Sequence, residues 1–351
     1  MRVPRTLAGW TTAGRLAALA VFGAATAVSA LAATDVPMLD LPMAFVLPRG
    51  TLESSIYIEK VNDTLDVFGV KQSQTQGLAA NKGLDLGSIG DLDGVRGLLN
   101  FGLGNRVTLR YKGQLQDLQF GRGTLHRTAN ELSLQWNVTG EGGRRPALSL
   151  APIYRSNRGS GISKTFDHFD AFGLTITPPK PVTLEFGGAG DETFALRFLA
   201  SKRASSRLLV HGWFEFGKSE ITSELHTDLP IVQIQDIVNN LEYSQHHKAL
   251  GLAANWRLAD GWLAGIDLSR WWLNRSIDAG IANGAESNDI LHARLSHRAG
   301  KNAWITVDGQ YYTHQLAAEV PFLYNRFTAS RFDKVYGYLG LGVTIPLEFG
   351  S

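Results

Sequence analysis

Residues Lys334 to Phe349 read K-V-Y-G-Y-L-G-L-G-V-T-I-P-L-E-F, and two kinds of residue alternate along them. The apolar set consists of Leu339, Leu341, Val343, Ile345, Leu347 and Phe349. Tyrosine, glycine, threonine, proline and glutamate fill the positions between them. Because a period of two places alternate residues on opposite faces of a β-strand, the stretch predicts a strand with one wholly apolar face. Such a face looks inward in a soluble sandwich and outward to lipid in a membrane barrel.

The closing strand ends on an aromatic residue, Phe349, followed by Gly350 and Ser351. It resembles the C-terminal assembly signal of bacterial outer-membrane barrels, although that family usually stops on the aromatic residue itself. The resemblance implies that Leu347 and Phe349 form an assembly signal and that the barrel assembly machinery is a partner.

The first 32 residues are typical of a signal peptide. Arg2, Arg5 and Arg15 precede an uncharged apolar run, which ends in the small-x-small pattern Ala30-Leu31-Ala32. A transmembrane anchor is the alternative, but the run is short and Ala-rich and no basic stop-transfer cluster follows it. Removing residues 1–32 leaves 31 basic and 32 acidic side chains, so the net charge of +2 reflects the targeting segment. The charge therefore gives no support for binding nucleic acid.

Composition narrows the class further. The chain contains no cysteine, which excludes a disulfide framework and thiolate metal sites. Beyond the signal peptide, no apolar run approaches the roughly 20 residues that a membrane-spanning helix needs. The 38 glycines fit a chain of many short strands joined by tight turns.

The lengths of the predicted connections distinguish a membrane barrel from a soluble sandwich. Counting back from the closing strand gives short connections on one side, at 300–302, 259–261, 202–205, 178–181, 139–146 and 104–105. The other side carries long ones, at 316–333, 275–288, 219–241, 156–169, 119–127 and 71–93, with one short exception at 187–191. That turn joins strands predicted at 182–186 and 192–200, and the strand before them is predicted at 170–177. Short periplasmic turns and long external loops are typical of bacterial barrels. We therefore predict an all-β, antiparallel up-and-down transmembrane barrel over residues 51–351, with 14 strands as the best estimate and a range of 12 to 16.

Two further segments are predicted outside the strands. The Pro-rich residues 33–50 are interpreted as a periplasmic lead-in to the barrel. Residues 228–241 contain apolar side chains at three- and four-residue spacing, with Pro230 in the first turn, and this pattern favours a short helix in an extracellular loop. A strand extension above the membrane is the alternative.

Charged side chains recur at positions that the alternation directs into the barrel. The predicted pore-lining residues are Arg106, Arg110, Lys112, Glu131, Glu185, Arg197, Glu215, Arg257, Asp267, Arg294 and Asp308. Inward charges must be hydrated or paired, because an unpaired charge in a dry interior is very costly. The pattern indicates either a water-filled pore with opposed charges or a narrow barrel plugged by salt bridges. The interior of a barrel of about eight strands is filled by side chains, whereas wider barrels leave a channel. A barrel of 14 strands therefore favours a pore.

No catalytic constellation emerges from the sequence. A Ser-His pair of the kind that lipid-hydrolysing barrels use is missing, and the acidic cluster Asp167-His168-Phe169-Asp170 is far more typical of a solvated loop. The adjacent His246 and His247 would point to opposite faces of a strand, which makes them poor partners for one metal ion. We therefore predict neither an enzyme, nor a cofactor, nor a metal site.

Over its length after the signal peptide, the chain resembles monomeric outer-membrane porins and solute-specific channels. The signal peptide, the strand alternation and the closing strand carry this resemblance, together with tryptophans at predicted strand ends, namely Trp136, Trp256, Trp262 and Trp272. It implies a cell outer-membrane location, contact with outer-membrane lipid and lipopolysaccharide, and passive diffusion of small hydrophilic solutes. Two alternatives stay open: transport of apolar solutes, as in the fatty-acid transporters, and a structural or adhesive barrel without transport. The solute and the oligomeric state do not follow from the sequence.

Overall fold

The computed structural model describes residues 38, 40–61, 89–120, 123–166, 169–171, 174–177, 179–227, 242–276, 286–300, 303–314, 318–323 and 336–348. The predicted signal peptide 1–32, the predicted helix at 228–241 and Phe349 lie outside these residues.

Fifteen strands follow one another along the described chain. Their bounds are β1 Thr51–Val61, β2 Ile89–Gly104, β3 Val107–Phe120, β4 Gly123–Thr139, β5 Ala147–Gly159, β6 Ile162–Phe166, β7 Phe169–Ala171, β8 Leu174–Ile176, β9 Val182–Arg203, β10 Leu208–Thr227, β11 Tyr243–Ala259, β12 Trp262–Arg275, β13 Ser287–Arg298, β14 Trp304–Tyr312 and β15 Tyr336–Glu348. A 3-10 helix, Pro321–Leu323, lies between β14 and β15. No helix within the described ranges is long and apolar enough to span a bilayer.

Twelve of these strands form a closed antiparallel barrel. Each pairs with its neighbour in the chain, β5 pairs with β9, and the pairing of β1 with β15 closes the ring. The prediction of an all-β antiparallel barrel is confirmed, with a strand number at the lower end of the predicted range.

The alternation of side chains follows the prediction. On β4, Leu134 and Trp136 are exposed outward, whereas Ser133 and Gln135 are buried inside. On β15, Leu339 and Leu341 are exposed on the outer face as predicted. The outer surface of the barrel is therefore apolar and its interior polar, the reverse of a soluble domain.

The best estimate of 14 strands is two more than the barrel contains. Predicted strands at 182–186 and 192–200 are parts of one strand, β9, because residues 187–191 form a bulge and not a turn. The register against β10 shifts between Thr222 and Glu224, opposite Gly190 and Gly187, so that β9 contains one extra residue there. Gly188 adopts a φ of 57° in this bulge, a conformation that glycine reaches without steric cost.

The other surplus strand, predicted at 170–177, is the separate short hairpin of β7 and β8. It lies in the long excursion between β5 and β9, together with β6, which pairs with the first residues of β9. The predicted short turn at 178–181 therefore belongs to a long connection on the opposite end of the barrel. The predicted loop 119–127 is also wrong for the most part, since β3 and β4 are separated by only two residues.

Residues 40–47 of the predicted periplasmic lead-in lie inside the barrel. Ala44 and Leu47 are buried there, with backbone N–H groups that donate to side chains of inward-facing strand residues. The lead-in assignment for 33–50 is therefore corrected for residues 40–47, which fill part of the lumen. From Pro48 the chain turns at Gly50, which has a φ of 77°, and enters β1.

Candidate functional site

The amino-terminal segment, residues 40–47, is held across the lumen near the short-turn end. Its backbone is bound by side chains from β3, β4, β5 and β9. Ala44 N donates to Ser201 Oγ at 2.7 Å, Leu47 N donates to Thr108 Oγ1 at 2.8 Å, and Gln135 Nε2 donates to the carbonyls of Met43 and Phe45 at 2.8 Å each. The carbonyl of Ala44 also accepts hydrogen bonds from Asn137 Nδ2 at 3.0 Å and Ser149 Oγ at 2.5 Å. Polar residues of the barrel wall therefore satisfy the backbone groups of a segment that has no secondary structure of its own.

The side chains of the same region are mainly apolar. Met38, Leu41, Met43 and Leu47 form a small buried cluster, with Phe45 packed against it. This cluster is an apolar body enclosed by a polar wall, so burial of its surface stabilises the segment in the lumen.

An ion cluster joins the amino-terminal segment to the barrel. We call it the Arg96 cluster. The guanidinium of Arg96 contacts three carboxylates: Asp40 at 2.8 Å, Glu59 at 3.0 Å and Asp308 at 2.5 Å. Lys112 lies 3.3 Å from Asp40, so the acid of the segment is shared by two cations. Because the Arg96 side chain is fully buried, these carboxylates offset the cost of taking its charge out of water.

A second ion cluster, which we call the Glu215 cluster, occupies the other half of the wall. Its members come from β4, β5, β9, β10 and β11. Glu215 is fully buried and accepts contacts from Arg155 at 2.6 Å, Arg197 at 2.6 Å and His247 at 3.0 Å. Arg155 also contacts Glu131 at 2.6 Å. The two clusters meet where Lys112 and Glu131 lie opposite each other across β3 and β4.

The segment after β14 covers the lumen from the long-loop end. The backbone N–H of Phe322 donates to Asp191 Oδ2 at 3.3 Å, and Asn157 donates to the carbonyl of Glu319 at 3.2 Å. Tyr243 donates from its hydroxyl to the carbonyl of Pro321 at 2.9 Å. This segment, residues 318–322, therefore faces the amino-terminal segment across the middle of the barrel.

A polar cavity of ≈ 160 Å³ lies between the two segments. Both ion clusters reach it, through Asp40 and Lys112 on one side and Glu131, Arg155 and Arg197 on the other. Two tryptophans complete one wall, Trp213 and Trp271, whose ring centroids are 6.2 Å apart in an edge-on arrangement. Opposed charges beside aromatic faces can orient a small solute that carries both polar and apolar groups.

Most of the residues predicted to line the lumen lie inside it. Arg110, Lys112, Glu131, Arg197, Glu215, Asp267, Arg294 and Asp308 are buried or half-buried on the inner face. Arg294 donates to Asn255 at 2.9 Å, Trp213 donates to Asp267 at 3.4 Å, and Arg110 donates to Asn100 at 3.1 Å. Arg257 is half-buried beside a bulge near the short-turn end.

Two predicted residues lie elsewhere. Arg106 is exposed in the turn between β2 and β3, one residue before the strand begins. Glu185 is exposed because the extra residue in the bulge reverses the alternation of β9 beyond Gly187. Of the predicted assembly signal, Leu347 is buried although it shares its face with the exposed Leu339 and Leu341, and Phe349 is outside the described residues.

Several charged residues of the lumen escaped the sequence analysis, including the buried acids Glu53, Glu59 and Asp191. The period of two that identifies Asn100 and Ser149 as inward also points to Arg96 and Arg155, but Arg96 was not counted and Arg155 lies one residue beyond the predicted strand. Arg127 was assigned to a loop. Asp40 carries no signal of its own, because its position depends on contacts with Arg96 and Lys112 far along the chain.

The outer face of the barrel shows whether it contacts water or lipid. On β11 the outward residues from Leu250 to Leu258 are all apolar, with Leu252 67 % exposed and Trp256 56 % exposed. This run extends roughly 26 Å along the strand, or about 20 Å along the barrel axis at the usual tilt of about 40°, close to the thickness of an outer-membrane apolar band. On a closed barrel, an exposed apolar surface of this extent is the lipid-facing band of a membrane barrel.

The fold is that of an outer-membrane β-barrel.

No family model matches the sequence, and neither does any curated protein. Several solved structures are similar. The COG4313 outer membrane channel from Pseudomonas putida F1 shares 10% identity, with 89% of this chain and 100% of that chain covered and a TM-score of 0.44. The KdgM porin in complex with disordered oligogalacturonate shares 10% identity, with 85% and 99% covered and a TM-score of 0.38. The Ralstonia pickettii toluene transporter TbuX shares 9% identity, with 91% and 96% covered and a TM-score of 0.40.

The described residues contain no group of three or more histidine, aspartate or glutamate side chains placed to hold a metal ion. The chemistry of the cavity is that of paired charges, amide side chains and two tryptophans.

Proposed function

We propose that the protein is an outer-membrane channel through which small hydrophilic solutes diffuse passively along a charge-lined lumen. The observation that carries the proposal is the polar cavity, which lies between opposed ion clusters at the middle of a closed twelve-strand barrel. Eight strands enclose a space that side chains fill, whereas twelve strands leave room for a path.

The amino-terminal segment sets the width of the proposed path. It crosses the lumen at the short-turn end and is held by hydrogen bonds and by the ion pairs of Asp40. A solute that passes the cavity must pass beside this segment or displace it. The path is therefore narrow at rest, and we propose small solutes for this reason.

Planar bilayer recording tests the proposal directly. The purified protein is expected to give small, discrete conductance steps, and liposomes that contain it are expected to swell in small sugars or amino acids faster than in larger ones. A folded barrel that gives neither conductance nor swelling would favour the structural or adhesive barrel instead.

One observation favours transport of apolar solutes as a second candidate function. The buried cluster of Met38, Leu41, Met43 and Leu47 is an apolar amino-terminal body inside the lumen. Fatty-acid transporters carry an N-terminal plug inside the barrel, although residues 33–50 are few for one. The two candidates are separated by measuring liposome swelling in sugars and uptake of a small aromatic hydrocarbon. Because the cavity is charged, we expect the sugars to pass and the hydrocarbon to be excluded.

A further inference from the structure

A ring of exposed ion pairs surrounds the outer surface of the barrel at the long-loop end. Each pair joins an outward-facing basic side chain to a neighbouring carboxylate. The pairs are Lys60–Asp93, Arg158–Glu192, Lys218–Glu220 and Arg270–Asp289, and His126 contacts Asp117 in the same ring. At the long-loop end, the charges on the outer face are therefore neutralised by a neighbour on most strands.

Lys248 on β11 is the exception. It is exposed on the outer face, and no described carboxylate lies within ion-pair distance of it. Its cross-strand neighbours are Phe216 on β10 and Trp272 on β12. Directly opposite neighbours lie about 5 Å apart at Cβ, so the base of the Lys248 side chain lies between two aromatic residues.

More basic groups lie one row farther from the apolar band. His246 lies two residues before Lys248 on the same face, and its cross-strand partner on β10 is Lys218. Lys218 is bonded to Glu220, so this corner of the barrel keeps a positive charge at Lys248. A groove of ≈ 620 Å³ runs beside these residues and reaches Phe194 on β9.

The position of Lys248 along the strand fixes its surroundings. The outward residues from Leu250 onward are apolar, so Lys248 stands at the first position beyond the lipid-facing run. A lysine is costly at the centre of a bilayer and nearly free at its interface, where tryptophans such as Trp272 also concentrate. The groove therefore opens at the height of the lipid headgroups of the outer leaflet.

We propose that this groove is a binding site for a phosphorylated lipid of the outer leaflet. Lys248 pairs with a phosphate of the headgroup, Lys218 and His246 supply further donors, and an acyl chain lies along Phe216 and Phe194. Charge complementarity selects this occupant, because phosphate is the anion of the membrane surface and a lysine left without a carboxylate is its ordinary partner. The site is independent of the solute that passes through the lumen.

Binding of lipid A to the purified protein in detergent, measured by native mass spectrometry, tests the proposal. The Lys248→Gln variant is expected to retain roughly fivefold less lipid A, the factor that corresponds to about 1 kcal/mol per lysine near a phosphorylated surface. Lys248→Arg keeps the charge and is expected to retain lipid A as the unmodified protein does. Heat-modifiable gel migration verifies that each variant is folded.

The matched control is Lys60→Gln, which removes an outward lysine of the same end that is already bonded to Asp93 at 3.1 Å. It is expected to leave lipid A binding unchanged. The proposal is overturned if folded Lys248→Gln binds lipid A as well as the unmodified protein does. It is equally overturned if the unmodified protein binds lipid A stripped of its phosphates as well as intact lipid A.

Discussion

The carboxylate of Asp40 lies 2.8 Å from Nη1 of Arg96. The barrel wall supplies the other two carboxylates of the Arg96 cluster, and the amino-terminal segment supplies this third one. Arg96 is buried, and Lys112 approaches the same carboxylate at 3.3 Å. The pair links the segment to the wall electrostatically. It also stands at the edge of the central cavity.

Replacing Asp40 with asparagine is therefore expected to loosen the segment and raise single-channel conductance. The substitution removes the charge that Arg96 and Lys112 share while keeping the size of the side chain. Planar bilayer recording measures the change. The control is Asp93→Asn, which removes an exposed carboxylate bonded to Lys60 on the outer face. Equal conductance in the two variants would show that Asp40 does not restrain the path.

Gly102→Ala is expected to displace the amino-terminal segment at the end where it leaves the lumen, next to Pro48. A Cβ at Gly102 would overlap the carbonyl oxygen of Pro48, a backbone atom that cannot rotate away. Gly104→Ala is the matched control, because a Cβ there meets nothing within 4 Å.

The displacement is measured by chemical labelling, since the chain contains no cysteine. A water-soluble maleimide is expected to label Met43→Cys slowly in the unmodified background and faster when Gly102→Ala is added. The Gly104→Ala background should label slowly as well. Fast labelling in all three backgrounds would mean that residues 40–47 leave the lumen without help.

Removing the acid of the Glu215 cluster is expected to destabilise the barrel. Glu215→Gln leaves the partly buried Arg155 and Arg197 without their shared carboxylate, and breaking such a buried pair costs about 3–5 kcal/mol. Glu192→Gln breaks an exposed pair with Arg158 and should cost less than about 1 kcal/mol. Denaturant unfolding in detergent or vesicles compares the two. Similar losses would contradict the view that burial sets the strength of these pairs.

The ion selectivity of the proposed channel is expected to respond to Lys112 and not to Arg106. Lys112 borders the cavity, so Lys112→Gln removes a cation from the path and should move the reversal potential in a salt gradient toward cation preference. Arg106 is exposed in a turn, and Arg106→Gln should leave the potential where it was. A shift of the same size from both variants would place the selective region at the end of the barrel and not at its cavity.

The apolar outer band of the barrel gives a further test of the fold. Leu252→Arg inserts a charge at an outward position near the middle of the apolar run, where the cost is about 2–4 kcal/mol. Thr128→Arg adds the same side chain on the outer face of β4 beyond the band and should cost about 0–1 kcal/mol. The folding yield in vesicles and the free energy of unfolding report the difference. An equal cost at both positions would contradict the assignment of the band.

Local alternation predicted the barrel and much of its lumen. Lys112, Glu131 and Asp308 were identified as inward because a strand has a period of two, whatever its partners are. The same rule failed at Glu185, because the bulge at Gly187–Gly190 inserts one residue and reverses the faces beyond it. A glycine-rich stretch is compatible with either a turn or a bulge, and only the pairing of β9 with β10 decides between them.

The contents of the lumen could not be predicted in the same way. The segment around Ala44 has no periodic pattern, and its hydrogen bonds go to Gln135, Ser149 and Ser201, which are 90 or more residues away in the chain. Such contacts depend on the closed barrel already being present. The composition of 33–50 is equally compatible with an exposed linker, so the sequence alone led to a periplasmic assignment.

The pairing of β1 with β15 is where the first and last strands of the barrel meet. Arg96 on β2 and Asp308 on β14 lie on opposite sides of this seam, and their contact at 2.5 Å reaches across both closing strands. Gly340 on β15 has no side chain to obstruct it, since a Cβ there would overlap the carboxylate of Asp308. An open sheet keeps these two residues at opposite edges. The salt bridge therefore forms only when the ring is complete, and it acts as a clasp that a partly assembled chain lacks.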